Sequence, residues 1–186
     1  MNPLHYIIGL AMVMGLPFGS VESEIPTLPF YDFGACPFEC CTYGTWTAKT
    51  KTILMKEHND SSPAVTVVNA GEDVQGLTGV VITTEPGKVK ILKKIAFNVE
   101  NSQEEILLLP GDLIYAMRYI GEGYDKFYFE GIFLVGQTNI KSVGKSEYWQ
   151  VNSLPKSVWW ANISRQNGET GWTRELDHFD HIDACD

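Results

Sequence analysis

The sequence predicts an all-β protein of two small barrels in tandem, the alternative being one elaborated barrel. Three observations lead there. Short runs rich in Val, Ile, Thr and aromatic residues recur along most of the 186 residues. Gly-, Pro-, Asn- and Asp-containing clusters separate those runs, and no stretch keeps the 3.6-residue period of an amphipathic helix for long. With 44% apolar and 12% aromatic residues and 17 Gly, the composition is that of a globular, turn-rich chain. The length accommodates one large core or two small ones.

The first 23 residues stand apart. An apolar run from Tyr6 to Phe18, broken by Gly9, Gly15 and Pro17, leads into Gly19-Ser20-Val21-Glu22-Ser23. The run is too short to span a membrane, and Val21 and Ser23 put small side chains at the third and first positions before a peptidase cut. Residues 1–23 therefore read as a secretory signal peptide cleaved before Glu24, although they contain no Lys or Arg. No Cys follows the cut, so no lipid anchor is indicated. The expected location is exported, periplasmic or secreted, with no membrane span after cleavage.

Residues 24–44 carry Pro26, Pro29 and Pro37 and read as an extended lead-in strapped across a core. Strands are expected at 45–55, 64–68, 74–84 and 89–92, and these make up a first barrel over 45–104. A second set at 106–109, 113–120, 124–129, 132–135, 158–165 and 170–173 places a second barrel over 105–186, with a polar loop inserted at 136–156 and a tail at the end. Ala70-Gly71-Glu72-Asp73-Val74 and Pro110-Gly111-Asp112-Leu113-Ile114 share the order turn, Gly, acid, apolar strand. That shared order points to two units of one kind.

Charge narrows the partners. The chain carries 23 acidic and 14 basic residues, and loss of residues 1–23 removes only Glu22 among them. An evenly acidic surface repels nucleic acid, anionic lipid and polyanions, and Lys93-Lys94 is the densest basic spot in the sequence. Nucleic acid is excluded as a partner on this basis.

Cys36, Cys40, Cys41 and Cys185 all lie beyond the leader. An even count in an exported chain favours disulfides. Joining the neighbours Cys40 and Cys41 to each other is strained, so each is expected to pair with Cys36 or Cys185, stapling the start of the mature chain to its end.

The C-terminal third contains Pro110-Gly111-Asp112, Tyr119-Ile120-Gly121-Glu122-Gly123-Tyr124, Trp159-Trp160, Asn167-Gly168 and Gly171-Trp172-Thr173. This pattern resembles the bacterial Src-homology-3-like domain, most strongly over residues 105–174. The segment from Cys36 to Trp46, with Asp183-Ala184-Cys185, resembles uncharacterised exported proteins of that group. The resemblance implies a small barrel closed by a hairpin at Asn167-Gly168, with Gly171 bending the strand and Trp172 plugging the barrel end. It also implies binding of peptide or peptidoglycan without catalysis.

The residues themselves supply no catalytic set and no cofactor. Cys40-Cys41 lies in a Pro-flanked extended stretch without the helix start or His partner of a nucleophilic thiol. Paired acids such as Glu122 and Asp125, or Glu72 and Asp73, sit at expected turns and read as solvated. His178 and His181, among four carboxylates and Cys185 in the tail, offer a metal alternative if they share one helical face. Aromatic residues are the best binding feature: alternation along the strands sends half of them outward, and Tyr119, Glu122, Tyr124, Trp149 and Trp160 are the candidate ligand-binding positions. A secreted protein partner, inhibited or assembled, is the alternative to peptide or peptidoglycan.

Overall fold

The computed structural model describes residues 24–185; the expected signal peptide lies outside the described residues. The chain is all-β and forms two antiparallel sheets. In the first are β1 (Phe30–Phe33), β2 (Thr45–Ala48), β3 (Thr52–Met55), β4 (Ala64–Val68) and β5 (Asp73–Glu85). The second is formed by β6 (Gly87–Ile91), β7 (Ile95–Val99), β8 (Glu105–Leu108), β9 (Leu113–Gly121), β10 (Tyr124–Phe129), β11 (Ile132–Gln137), β12 (Gly144–Lys145) and β13 (Trp149–Ser153). The chain then returns to the first sheet as β14 (Lys156–Arg165), β15 (Thr170–Thr173) and β16 (Phe179–Asp180).

The sheets do not follow the boundary expected at residues 104 and 105. The second unit is inserted into the first, between β5 and β14, which pair with each other from Glu85 and Lys156 back to Val74 and Arg165. Sequence order alone assigns β14 and β15 to their chain neighbours; long-range pairing assigns them to β5 and β3. The loop expected at 136–156 is largely a hairpin, β12 with β13, added to the edge of β6. Residues 93–105, where no strand is expected, contain β7.

The two units share one topology. The first runs β2-β5-β14-β15-β3-β4 and the second β6-β9-β10-β11-β7-β8. The repeated Gly-acid turn is the same device twice. Gly71 and Gly111 take positive φ (79° and 106°), which glycine adopts without strain. The following acid folds back in each case: Glu72 accepts from the Asn69 N–H at 3.1 Å and Asp112 from the Leu109 N–H at 2.7 Å. The Gly71 N–H reaches the Ala48 carbonyl and the Gly111 N–H the Ile91 carbonyl, at 2.7 and 2.9 Å. Where the first unit hosts the insertion, the second has only the two-residue turn Glu122-Gly123, both residues at positive φ (53° and 79°), the geometry a tight hairpin requires.

Each unit has its own core. Trp46, Leu54, Val68, Ile163 and Phe179 fill the first, and Ile91, Phe97, Leu108, Ile114, Phe127 and Leu134 the second. An aromatic ring lies on a glycine in both: a Cβ at Gly76 would meet the Trp46 ring at 2.7 Å, and one at Gly136 the Phe97 ring at 2.7 Å. Trp172, expected to plug the barrel, instead packs half-buried on the outer face with Val80, Ile82 and Trp160. The closing hairpin has a three-residue loop in which only Gly168 takes positive φ (86°), while Asn167 Oδ1 accepts from the Glu169 N–H at 3.0 Å.

β1 joins the units. It pairs with β5, sending Tyr31 and Phe33 outward and Phe30 and Asp32 toward the second unit. Phe30 meets Tyr115, Met117, Tyr128 and Phe133 there. Asp32 accepts from Arg118 and, at 2.8 Å, from Lys126 Nζ, which also reaches Glu100 at 2.6 Å. Lys126 is 3% exposed, so these partners and the flanking Phe30 and Phe133 rings, each 5.8 Å from Nζ, replace its water. Thr83 Oγ1 donates across the joint to the Met117 carbonyl at 2.9 Å.

Candidate functional site

The cysteines pair as Cys36–Cys41 and Cys40–Cys185, so each neighbour takes a different partner, as their adjacency requires. The resulting knot is also held by backbone: Thr42 N–H to the Ile182 carbonyl at 3.1 Å, and Ala184 N–H to the Cys40 carbonyl at 2.8 Å. Residues 37–39 are carried within the small ring closed by Cys36 and Cys41, and Phe38 meets the Trp159 edge at 5.6 Å.

Facing this knot is the β9–β10 hairpin of the second unit. Between them lies a cleft of about 350 Å³, lined by Phe38, Glu39, Ile120, Glu122, Tyr124 and Val135 together with the knot cysteines and Gly121. Its lining carries two carboxylates, those of Glu39 and Glu122, and no basic side chain. The two acids are exposed, while Phe38, Ile120, Tyr124 and Val135 are half-buried. The Tyr119 hydroxyl accepts from the Gly123 N–H at 2.9 Å and so pins the turn that presents Glu122.

Three of the five expected ligand-binding residues thus come together: Glu122 and Tyr124 line the cleft and Tyr119 holds its edge. Two do not. Trp160, expected at the surface, is 3% exposed, sealed by the outer-face cluster and by Arg174, whose guanidinium lies 5.9 Å over its ring. Trp149 lies opposite Ile91 on β13, the position Phe179 takes opposite Ala48 in the first unit, and packs half-buried against the second core. It closes a core instead of standing outward as expected. Phe38 and Glu39 were missed, although the spacing of Cys36 and Cys41 could have flagged them, since a small disulfide ring presents the residues inside it.

The metal alternative takes a different form. His178 ends a 3-10 turn (Leu176–His178) and its Nδ1 lies 3.0 Å from Thr52 Oγ1, whereas His181 follows β16 at φ 64°. The two imidazoles share no helical face. Glu175, Asp177 and His178 do bring one ligand atom each within 4.8 Å of one another; a second group, Cys40, Asp183 and Cys185, has both sulfurs committed to a disulfide.

The paired acids separate as well. Glu122 is exposed, but Asp125 is 4% exposed and accepts from Thr138 Oγ1 at 2.6 Å and the Ile140 N–H at 3.0 Å. Burial pushes its carboxyl above the ordinary aspartate value, with both hydrogen bonds opposing. Glu72 forms a bidentate pair with Arg165, at 2.6 and 3.1 Å, and that hydrogen bonding holds its carboxyl below the usual range. Asp73 accepts from Thr47 Oγ1 at 2.8 Å.

No protein-family model, curated protein or solved structure matches the chain. Among the described residues no helix is long and apolar enough to cross a membrane.

Proposed function

We propose that the protein is a non-catalytic, exported binding module of the cell envelope whose acidic cleft takes a short basic or amphipathic peptide segment, such as the peptide portion of peptidoglycan. The observation that carries this is the cleft between the disulfide knot and the β9–β10 hairpin, apolar at Phe38, Ile120, Tyr124 and Val135 and acidic at Glu39 and Glu122. Pockets at the meeting of two units with an apolar lining and a few polar groups are where ligands commonly bind. A cationic group fits the paired carboxylates, and the neighbouring apolar stem fits the rings. Two disulfides preorganise one wall and a pinned turn the other, which lowers the ordering cost of binding.

The test is calorimetric titration with short Lys-containing amphipathic peptides and their Glu-containing counterparts, alongside a sacculus pull-down. The basic peptides bind, the acidic ones do not, and Glu122→Lys and Tyr124→Ala each weaken binding about tenfold or more. Equal binding of both peptide sets, or no effect of either substitution, overturns the reading.

A second reading, an assembly partner or inhibitor of a secreted protein, is favoured by one separate observation. Tyr31 and Phe33 are 42% and 65% exposed and form an aromatic group with His58 and Trp172 on the outer face. Exposed aromatic patches of this kind mark protein interfaces. Co-purification from the native host should then yield one stoichiometric protein partner that Phe33→Ser releases.

A further inference from the structure

The acidity of the chain is not evenly distributed. Outside residues 87–153, from residue 24 onward, there are 14 acidic and 6 basic residues; within 87–153 there are 8 of each. Two of those 8 bases, Arg118 and Lys126, are consumed at the buried joint. The other six, Lys88, Lys90, Lys93, Lys94, Lys141 and Lys145, are all exposed.

Strand register and one hairpin turn gather four of them. Lys145 lies opposite Gln150, and Gln150 opposite Lys90, so β12, β13 and β6 carry the three in one row on the outward side. Opposite them, Val151 and Val89 point into the core. Lys88 follows two residues from Lys90 on the same side, and Lys93 joins through the hairpin turn, its Nζ 5.9 Å from the Tyr148 ring. Glu147 is the acid among them, paired with Lys93 at 2.7 Å. Apolar side chains emerge beside the lysines: Val143 is 61%, Tyr148 40% and Leu154 38% exposed.

We propose that this edge of the second unit is a docking face for the surface of an anionic phospholipid bilayer. Charge complementarity selects the occupant: a cluster of exposed lysines meets lipid phosphates, with Val143, Tyr148 and Leu154 entering the headgroup layer. The four cations gathered there are all Lys, flexible point charges suited to a diffuse phosphate surface, and none is the Arg fork of base or bidentate phosphate readout. Lysines on an edge strand also discourage strand pairing, but that role needs one or two and does not call for exposed apolar neighbours. The acidic first unit does not cancel the attraction, because its charges act only over a Debye length of about 8 Å at physiological salt. The inference is independent of what the peptide cleft binds.

Co-sedimentation of the mature, oxidised protein with vesicles tests it. Vesicles of phosphatidylcholine mixed with phosphatidylglycerol should retain the protein at physiological salt and release it at high salt, while phosphatidylcholine alone should not retain it. Replacing three lysines (Lys88→Gln, Lys90→Gln, Lys145→Gln) should weaken binding about a hundredfold, and Val143→Asp should weaken it further. The equal charge change made elsewhere (Lys49→Gln, Lys51→Gln, Lys56→Gln) should leave it within about twofold. Retention on phosphatidylcholine alone, equal loss in both triple variants, or binding to soluble polyphosphate as tight as to vesicles overturns the proposal. Circular dichroism of each variant confirms that a loss of binding is not a loss of fold.

Discussion

The two units repeat one strand order and one Gly-acid turn, yet they differ in charge balance and in cross-linking. The first carries the disulfides, the excess acid and the exposed Tyr31 and Phe33; the second carries no cysteine and a lysine-bearing edge. The comparison teaches that topology is held by interior residues and backbone turns, so the outward positions of each strand are free to take opposite charge. It also locates the cleft, which needs one wall from each unit.

Breaking the first unit's staple should have the largest effect. Cys40 and Cys185 are separated by 145 residues and Cys36 and Cys41 by 5. On the chain-entropy account, replacing the long-range pair by Ser costs about 5 kcal/mol and the short-range pair about 2 kcal/mol, read as midpoints in urea unfolding. Equal costs would mean that native-state packing, not loop closure, sets the value of the knot.

Next comes the joint. Asp32→Asn leaves Arg118 and Lys126 buried with Glu100 as the remaining carboxylate, a loss of about 3 kcal/mol or more. Unfolding followed by separate probes of the two units should then split into two transitions, against the single transition expected of the native protein. A single unaltered transition would show that the apolar contacts around Phe30 couple the units alone.

A smaller test compares the cores directly. Gly76→Val and Gly136→Val each force a side chain into an aromatic ring and should each cost about 1–3 kcal/mol. Similar costs sharpen the equivalence of the units, whereas a large disparity breaks it.

The smallest effects are in pH dependence, where the units oppose each other. Asp125 in the second unit has a raised pKa, so the folded state holds its proton more tightly than the unfolded chain. Its contribution therefore falls as pH rises from the ordinary aspartate value through the raised one, and Asp125→Asn should remove that fall. Glu72 in the first unit has a lowered pKa, so its stabilisation is present above the ordinary glutamate value and is lost as pH drops through the depressed one. Glu72→Gln should flatten that acid limb, measured as urea midpoints across pH.

Much of the fold was legible in the sequence. The strands at 64–68, 124–129 and 170–173 match the expected bounds, because each is a short apolar or aromatic run between strong turn signals. The repeated Gly-acid pattern announced two like units, because the turn it builds is local. Of the site, Glu122 and Tyr124 were legible as an acid and an aromatic flanking a glycine turn. Trp160 and Trp149 were not, since alternation says that neighbouring side chains face opposite ways but not which face another element will cover.

By itself, the sequence determined the all-β class, the partition of the cysteines so that Cys40 and Cys41 take different partners, and the turn chemistry at Gly71, Gly111 and Glu122-Gly123. These follow from local backbone sterics and side-chain periodicity. Tertiary structure decided that the second unit interrupts the first, that Phe38 and Glu39 meet the β9–β10 hairpin, and that four lysines, Lys88, Lys90, Lys93 and Lys145, scattered over nearly sixty residues share one edge. The physical reason is that strand pairing is set by total burial and backbone hydrogen bonding over the whole chain, which no local window of sequence contains.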